Sequence, residues 1–221
     1  ITPKKLVTAL EGGSVGMLNV GATCACAGLI VGVVTLTGLG LKFSDIVIAY
    51  AGNSLVLTAL YTALIVWVVG LAVPVTASYI ICAVIAAPAL IKLGVPDYAA
   101  HMFIFYYAVL SEVSPPTALS PFAAAAITGG NPYRTTMQSW KYTLPAFVVP
   151  FMFVLDPAGL GLLLKGSWED IALSSVTAMI GIAALAAGAQ NWALKRCNPV
   201  ERWLFIGAGL LLVYPNPLYD A

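Results

Sequence analysis

The stretch Ser111–Pro121, SEVSPPTALSP, decides how this sequence folds. It carries a Pro-Pro pair, with a carboxylate three residues before it, inside a run over 98–127 that is otherwise almost wholly apolar. Proline has no amide hydrogen and pushes the residue before it away from helical angles, so Pro115 and Pro116 predict a helix interrupted near Glu112 to Thr117. The surroundings set the consequence of that interruption. Of 221 residues, 61% are hydrophobic and 9% charged, where a soluble domain carries about a quarter charged. Apolar stretches near the ~20 residues that cross a bilayer recur along the chain, so the composition is that of an all-α integral membrane protein. Segments of about ten residues with alternating hydropathy, the mark of a membrane β-barrel, do not occur. A formal charge of +1 and the lack of a basic, aromatic stripe exclude nucleic acid as a partner. In hydrocarbon, bare backbone polar groups cost several kcal/mol each, so the break must be buried in protein or answered by water or an ion.

Working outward, the segment before the break reads as two apolar arms, about Ser54 to Val69 and Val75 to Ile91, joined by GLAVPVT, Gly70 to Thr76. The joint contains Gly and Pro but no charge, which favours a re-entrant hairpin over two full spans. Each arm rises about 25 Å as a helix, however, and is nearly long enough to cross. Upstream, TPKKLVTALEGGSVGML is an amphipathic lead-in to a first span at about Leu18 to Leu41, where Gly28 and Gly32 stand in the register that lets another helix approach closely. Thr35 and Thr37 either line a polar path or bond to their own backbone. With no initiator Met and no cleavage-site pattern after ITPKKL, the start is read as internal to a longer polypeptide.

Downstream, GGNPYRTTMQSWK reads as a loop. It leads to an apolar stretch at about Tyr142 to Leu164, interrupted where Asp156 precedes Pro157 and is placed to cap the next helix. A span follows at about Ile171 to Leu194, and then a last apolar piece, Trp203 to Val213, too short to cross alone. Three regions result: 1–41 with the lead-in and first span, 42–130 with the hairpin (about 54–91) and broken helix (about 98–127), and 131–221 with the C-terminal helices. If the spans alternate, Lys4, Lys5, Arg134, Lys141, Lys195, Arg196 and Arg202 collect on one side and Lys42, Lys92 and Lys165 on the other. Seven against three places the first group in the cytoplasm, so the hairpin enters from the outward face.

Catalytic constellations are absent, which argues against an enzyme. His101 is the single histidine, so paired-histidine metal motifs are excluded, and it reads as an interfacial or packing residue. Phe103, Phe105, Tyr106 and Tyr107 read as core and interface aromatics. Cys24, Cys26, Cys82 and Cys197 lack metal-ligand spacing and read as small packing residues. What remains is a hairpin tip with Gly, Pro and Thr and a broken helix with Ser, Pro and Thr. Secondary transporters hold substrate and coupling ion on such discontinuous helices near mid-bilayer, and a hard cation such as Na+ takes carbonyl and hydroxyl oxygens. The same residues also suit a simple kink.

These residues match a family. GLAVPVTASYIICAVIAAPALIKLGV, followed by AAHMFIFYYAVLSEVSPPTALSPFAAAAITGGNP, resembles the large membrane subunit of tripartite ATP-independent periplasmic (TRAP) transporters, and most nearly the fused permeases of their TAXI branch. The likeness runs from about Lys4 through KRCNPVERWL and rests on the spaced pair G-x-x-x-P-x-T-A at Gly70 and S-P-P-x-A-L at Ser114. It implies the C-terminal part of a permease, half of an inverted repeat, in an elevator-type symporter of the bacterial or archaeal inner membrane. The partners it implies are an extracytoplasmic solute-binding protein, a small membrane subunit or the rest of a fused permease, and the lipid bilayer. It further implies sodium as coupling ion and a carboxylate substrate. Carried over, Gly70, Pro74, Thr76, Ser114, Pro115 and Thr117 would line a sodium site, and Thr76, Ser78, Glu112 and Pro116 would border the substrate.

The sequence departs from the family pattern at Glu112, where relatives tend to carry a neutral residue such as Asn, and also at Val75 and Pro121. An intramembrane carboxylate is costly and by default functional. Glu112 is expected to ligate sodium, to carry a proton in place of a second sodium, to pair with a basic residue of the other half, or to snorkel to the lipid interface. The competing expectation is a membrane scaffold or assembly fragment whose ion and substrate sites lie elsewhere.

Overall fold

The computed structural model describes residues 2–116 and 118–213, and all regular elements among them are helices. Helix α1 (Pro3–Thr37) is one continuous helix of 35 residues, where the sequence reading expects a separate lead-in and a span reaching Leu41. Gly12 and Gly13 each cost about 1 kcal/mol relative to Ala, but no proline or cap stops the helix there. It ends at Gly38, whose φ of 65° turns the chain into α2 (Leu39–Tyr50), a short helix that apolar patterning does not announce.

The two arms fold as expected. Helix α3 (Leu55–Gly70) starts on Ser54, whose hydroxyl accepts the Leu57 N–H, and the second arm comprises α4 (Val75–Ile85) and α5 (Ala87–Lys92). The kink at Ala86 follows from Pro88, which has no N–H for the preceding turn. Helix α2 answers the carbonyls left by the kink. The Ser44 hydroxyl bonds Ile85 O at 3.1 Å, and Gly40 brings the α2 backbone so near that a β-carbon there would stand 2.7 Å from Val84 O. Lys92 closes the junction with an ion pair to Asp45 at 2.6 Å.

Helix α6 (Asp97–Ser111) stops where the Pro-Pro pair requires, and the chain resumes as α7 (Leu119–Thr128). Residues 132–143, expected as loop, form α8 (Pro132–Thr143) instead. Asn131 Oδ1 accepts the Arg134 N–H at 3.1 Å and Pro132 occupies the first turn, where its missing donor costs nothing. The apolar stretch after it is not one span. Pro145, Pro150 and Pro157 divide it into a 3-10 turn (Leu144–Phe147), α9 (Val149–Leu155) and a second 3-10 segment (Pro157–Leu163). Asp156 caps that segment as expected, accepting the Ala158 N–H at 2.9 Å. Helix α10 (Trp168–Gln190) begins with a reciprocal Ser167/Asp170 capping box, and α11 (Pro199–Val213) packs back along it.

Three helical stretches among the described residues are long and apolar enough to cross a membrane: Pro3–Thr37, Val75–Lys92 and Trp168–Gln190. The core lies between α3, α4, α5, α6 and α9, around fully buried Val66, Leu90, Phe103 and Ile104. Lipid tails are as apolar as Leu, so helix association here rests on close packing, and small Ala59, Ala63, Ala99 and Ala108 permit it. Phe103 and Tyr107 meet Phe151 edge-on, with ring centroids 5.4 and 6.3 Å apart, fixing α9 against α6. His101 pairs with the Tyr79 hydroxyl at 3.2 Å. Among the described residues nothing lies within 4 Å of a β-carbon built on Gly28 or Gly32, while Thr37 bonds back to Val33 O.

Candidate functional site

The hairpin tip and the helix break meet. Gly70 ends α3, and its missing side chain is what admits α6: a β-carbon there would stand 2.3 Å from Ser111 Oγ and 3.2 Å from Ser78 Oγ. Three elements thus converge on one glycine, with the hydroxyls of Ser111 and Ser78 crowding the space a side chain would take. Both serines are fully buried. Ser111 Oγ donates to Ala108 O at 2.7 Å, whereas Ser78 Oγ has no hydrogen-bond partner of good geometry among the described residues, the Cys82 thiol lying beside it.

The break is stitched largely by its own side chains. Ser114 Oγ donates to Leu110 O at 2.8 Å and accepts the Trp67 Nε1–H at 3.0 Å, a bond that reaches across from α3. Ser111 and Ser114 therefore take up the Ala108 and Leu110 carbonyls, whose usual amide partners, those of Glu112 and Ser114, turn instead to Val109 O and Ser111 O as the helix tightens at its end. Fully buried Ala118 restarts the helix at a positive φ of 23°, a region that residues with a β-carbon seldom occupy.

Between tip and break lies a cavity of about 360 Å³, lined by residues 70–75 of the tip, Glu112 and Leu119. Glu112 is half-buried, accepts the Ser120 hydroxyl at 3.4 Å and makes no ion pair among the described residues. Of the residues expected at the site, Gly70, Pro74 and Glu112 line this cavity and Ser78 stands behind Gly70. Ser114 is buried and engaged with Trp67 and Leu110. Thr76 is exposed on the first turn of α4, Pro115 is half-buried and Pro116 exposed, and none of these three lines the cavity. Thr117 lies outside the described residues. Ser111 and Trp67 are the contributors that motif reading passes over. A serine or tryptophan in an apolar helix has no local signature, and only the i, i+3 relation of Ser111 to Ser114 hints that both hydroxyls serve the same helix end.

No cluster of three or more His, Cys, Asp or Glu able to hold a metal occurs among the described residues. The polar groups of the cavity wall are the backbone of the tip and the Glu112 carboxylate.

The family model for the tripartite ATP-independent periplasmic transporter, DctM component, matches residues 1–158. The matched region runs from α1 through α9 and contains the hairpin, the break and the cavity between them. No curated protein and no solved structure matches the chain. The family so matched is a component of a membrane transporter, in keeping with the three helical stretches among the described residues that are long and apolar enough to cross a membrane. The chain belongs to the DctM family of tripartite ATP-independent periplasmic transporters, as its sequence resemblance implied.

Proposed function

We propose that this chain is the C-terminal part of a TRAP permease of the TAXI branch, importing carboxylate solutes that an extracytoplasmic binding protein delivers, with sodium as the coupling ion. The observation that carries this reading is the contact of the hairpin tip with the helix break around Gly70, beside a cavity that opens on both. Contact gives tip and break one depth. Helix α7, with 10 residues, has about 15 Å still to run beyond the break, so a hairpin whose tip stops there is re-entrant. Sodium is held by tip carbonyls, and the substrate carboxylate lies toward the start of α4, where the helix dipole is positive. The hairpin and broken helix carry both across against a fixed scaffold. Long, exposed α1, with open faces at Gly28 and Gly32, suits that scaffold or the surface that meets the other half of the permease.

The test is uptake of carboxylates by the complete permease in liposomes, with its binding protein outside. Uptake should follow an inward sodium gradient, and sodium should protect a cysteine placed at Ala72 from a membrane-permeant thiol reagent. Sodium-independent labelling at Ala72 would favour a purely scaffolding fragment, and uptake powered by ATP in place of an ion gradient would remove the transport reading.

A further inference from the structure

We propose that Glu112 receives a protonated amino group of the cargo, so that the cavity at the helix break takes small carboxylates that also carry an ammonium group. The inference rests on the transport reading above and narrows its substrate class. Among the described residues Glu112 is the one ionisable side chain in the cavity wall, the rest being tip backbone and the side chains of Leu71, Val73, Val75 and Leu119 with their small neighbours. Its carboxylate has a weak hydroxyl contact with Ser120 and no cation among the described residues. A buried or half-buried carboxylate is ordinarily paired, so the missing partner is a property of the site to be explained.

Another part of the same wall has the opposite polarity. Helix α4 begins there, at Pro74 and Val75, without a side-chain cap, and the amides of its first turn have no acceptor within the helix. Ser78, on the same turn but behind Gly70 and not in the wall itself, has a fully buried hydroxyl without a partner of good geometry. Such a surface takes a carboxylate. A cargo bearing a carboxylate alone would set like charges against each other across an apolar, poorly screened space. A cargo with both groups satisfies the helix start with one and Glu112 with the other. The volume of about 360 Å³ equals roughly a dozen water-sized volumes, which suits a solute of about ten heavy atoms.

The experiment offers the complete permease, with one binding protein throughout, two solutes of the same carbon skeleton: an α-amino acid and the matching α-hydroxy acid. The ratio of their sodium-driven uptake rates is compared between wild type and Glu112→Gln. The variant is expected to lower the amino-to-hydroxy ratio about tenfold, or ~1.4 kcal/mol. An equal ratio in the two proteins, or a change confined to sodium dependence, overturns the inference while leaving the transport reading in place. If neither solute enters with wild type under any sodium gradient, the transport reading falls and this one with it. Wild type alone supplies a measurement that no folding defect can obscure. Without binding protein, the amino acid should raise the thermal midpoint of the detergent-solubilised permease more than the hydroxy acid does, and equal shifts overturn the proposal.

Discussion

A β-carbon on Gly70 would stand 2.3 Å from the hydroxyl oxygen of Ser111 and 2.7 Å from its β-carbon, so the hairpin and the broken helix touch through the smallest residue on one side and a serine on the other. No rotamer of Ser111 removes the second of these contacts, which makes the pair a structural coupling between α3 and α6.

Gly70→Ala should therefore push the tip from the break, with an overpacking cost of about 1–3 kcal/mol. Thermal unfolding in detergent should show the loss, and sodium-driven uptake should fall while membrane insertion persists. Adding Ser111→Gly removes both clashing atoms, so the double variant should recover part of the loss. A double-mutant cycle whose two changes simply add would show that the pair is not coupled.

The seam between α10 and α11 has the same character. A β-carbon on Gly209 would lie 2.8 Å from Gly181 O and one on Gly188 2.6 Å from Ile206 Cγ1, whereas Gly207 faces open space. Gly209→Val is expected to cost about 1–3 kcal/mol through overpacking. Gly207→Ala, on the same helix, should gain up to about 1 kcal/mol from helix propensity. Paired melting curves check this, and a Gly207→Ala loss as large as that of Gly209→Val would contradict the packing described.

Glu201 gives a dependence on pH. The Asn198 N–H donates to its Oε2 at 2.8 Å and, as a smaller influence, Lys195 lies 3.6 Å from Oε1, so its carboxyl is held below the ordinary glutamate value. A depressed carboxyl stabilises the folded turn fully above the unfolded value and ceases to do so as pH falls through the folded one. Exchange of the Asn198 amide, corrected for intrinsic rate, should thus accelerate on acidification below about pH 4, and Glu201→Gln should remove that step. A pH-independent protection factor in the wild type would count against the bond.

The helix break and the hairpin tip were legible in the sequence because proline acts locally. Pro115 and Pro116 forbid a continuous helix whatever surrounds them, and a charge-free Gly and Pro turn between apolar arms has few other uses in a membrane. Helices α2 and α8 were not legible by the same logic. They are 12 residues each and carry polar residues such as Ser44, Asp45, Arg134 and Gln138, so a search for spans passes over them. What fixes α2 is tertiary: the carbonyls near Pro88 need a donor and a close backbone, which Ser44 and Gly40 provide. The cavity residues Gly70, Pro74 and Glu112 stood out from spacing and charge. Ser111 did not, because its importance depends on a glycine 41 positions earlier. The α10 seam left a readable trace, since Gly181 and Gly188 lie two helical turns apart on one face.

The bond from Trp67 to Ser114 makes the corner of the broken helix self-reporting. An indole whose N–H keeps a buried acceptor emits at a different wavelength from one whose N–H has lost it, so any event that pulls the corner away from the hairpin alters the fluorescence of this one side chain. A permease stripped of its other tryptophans would then display the state of its own hinge in the colour of its light.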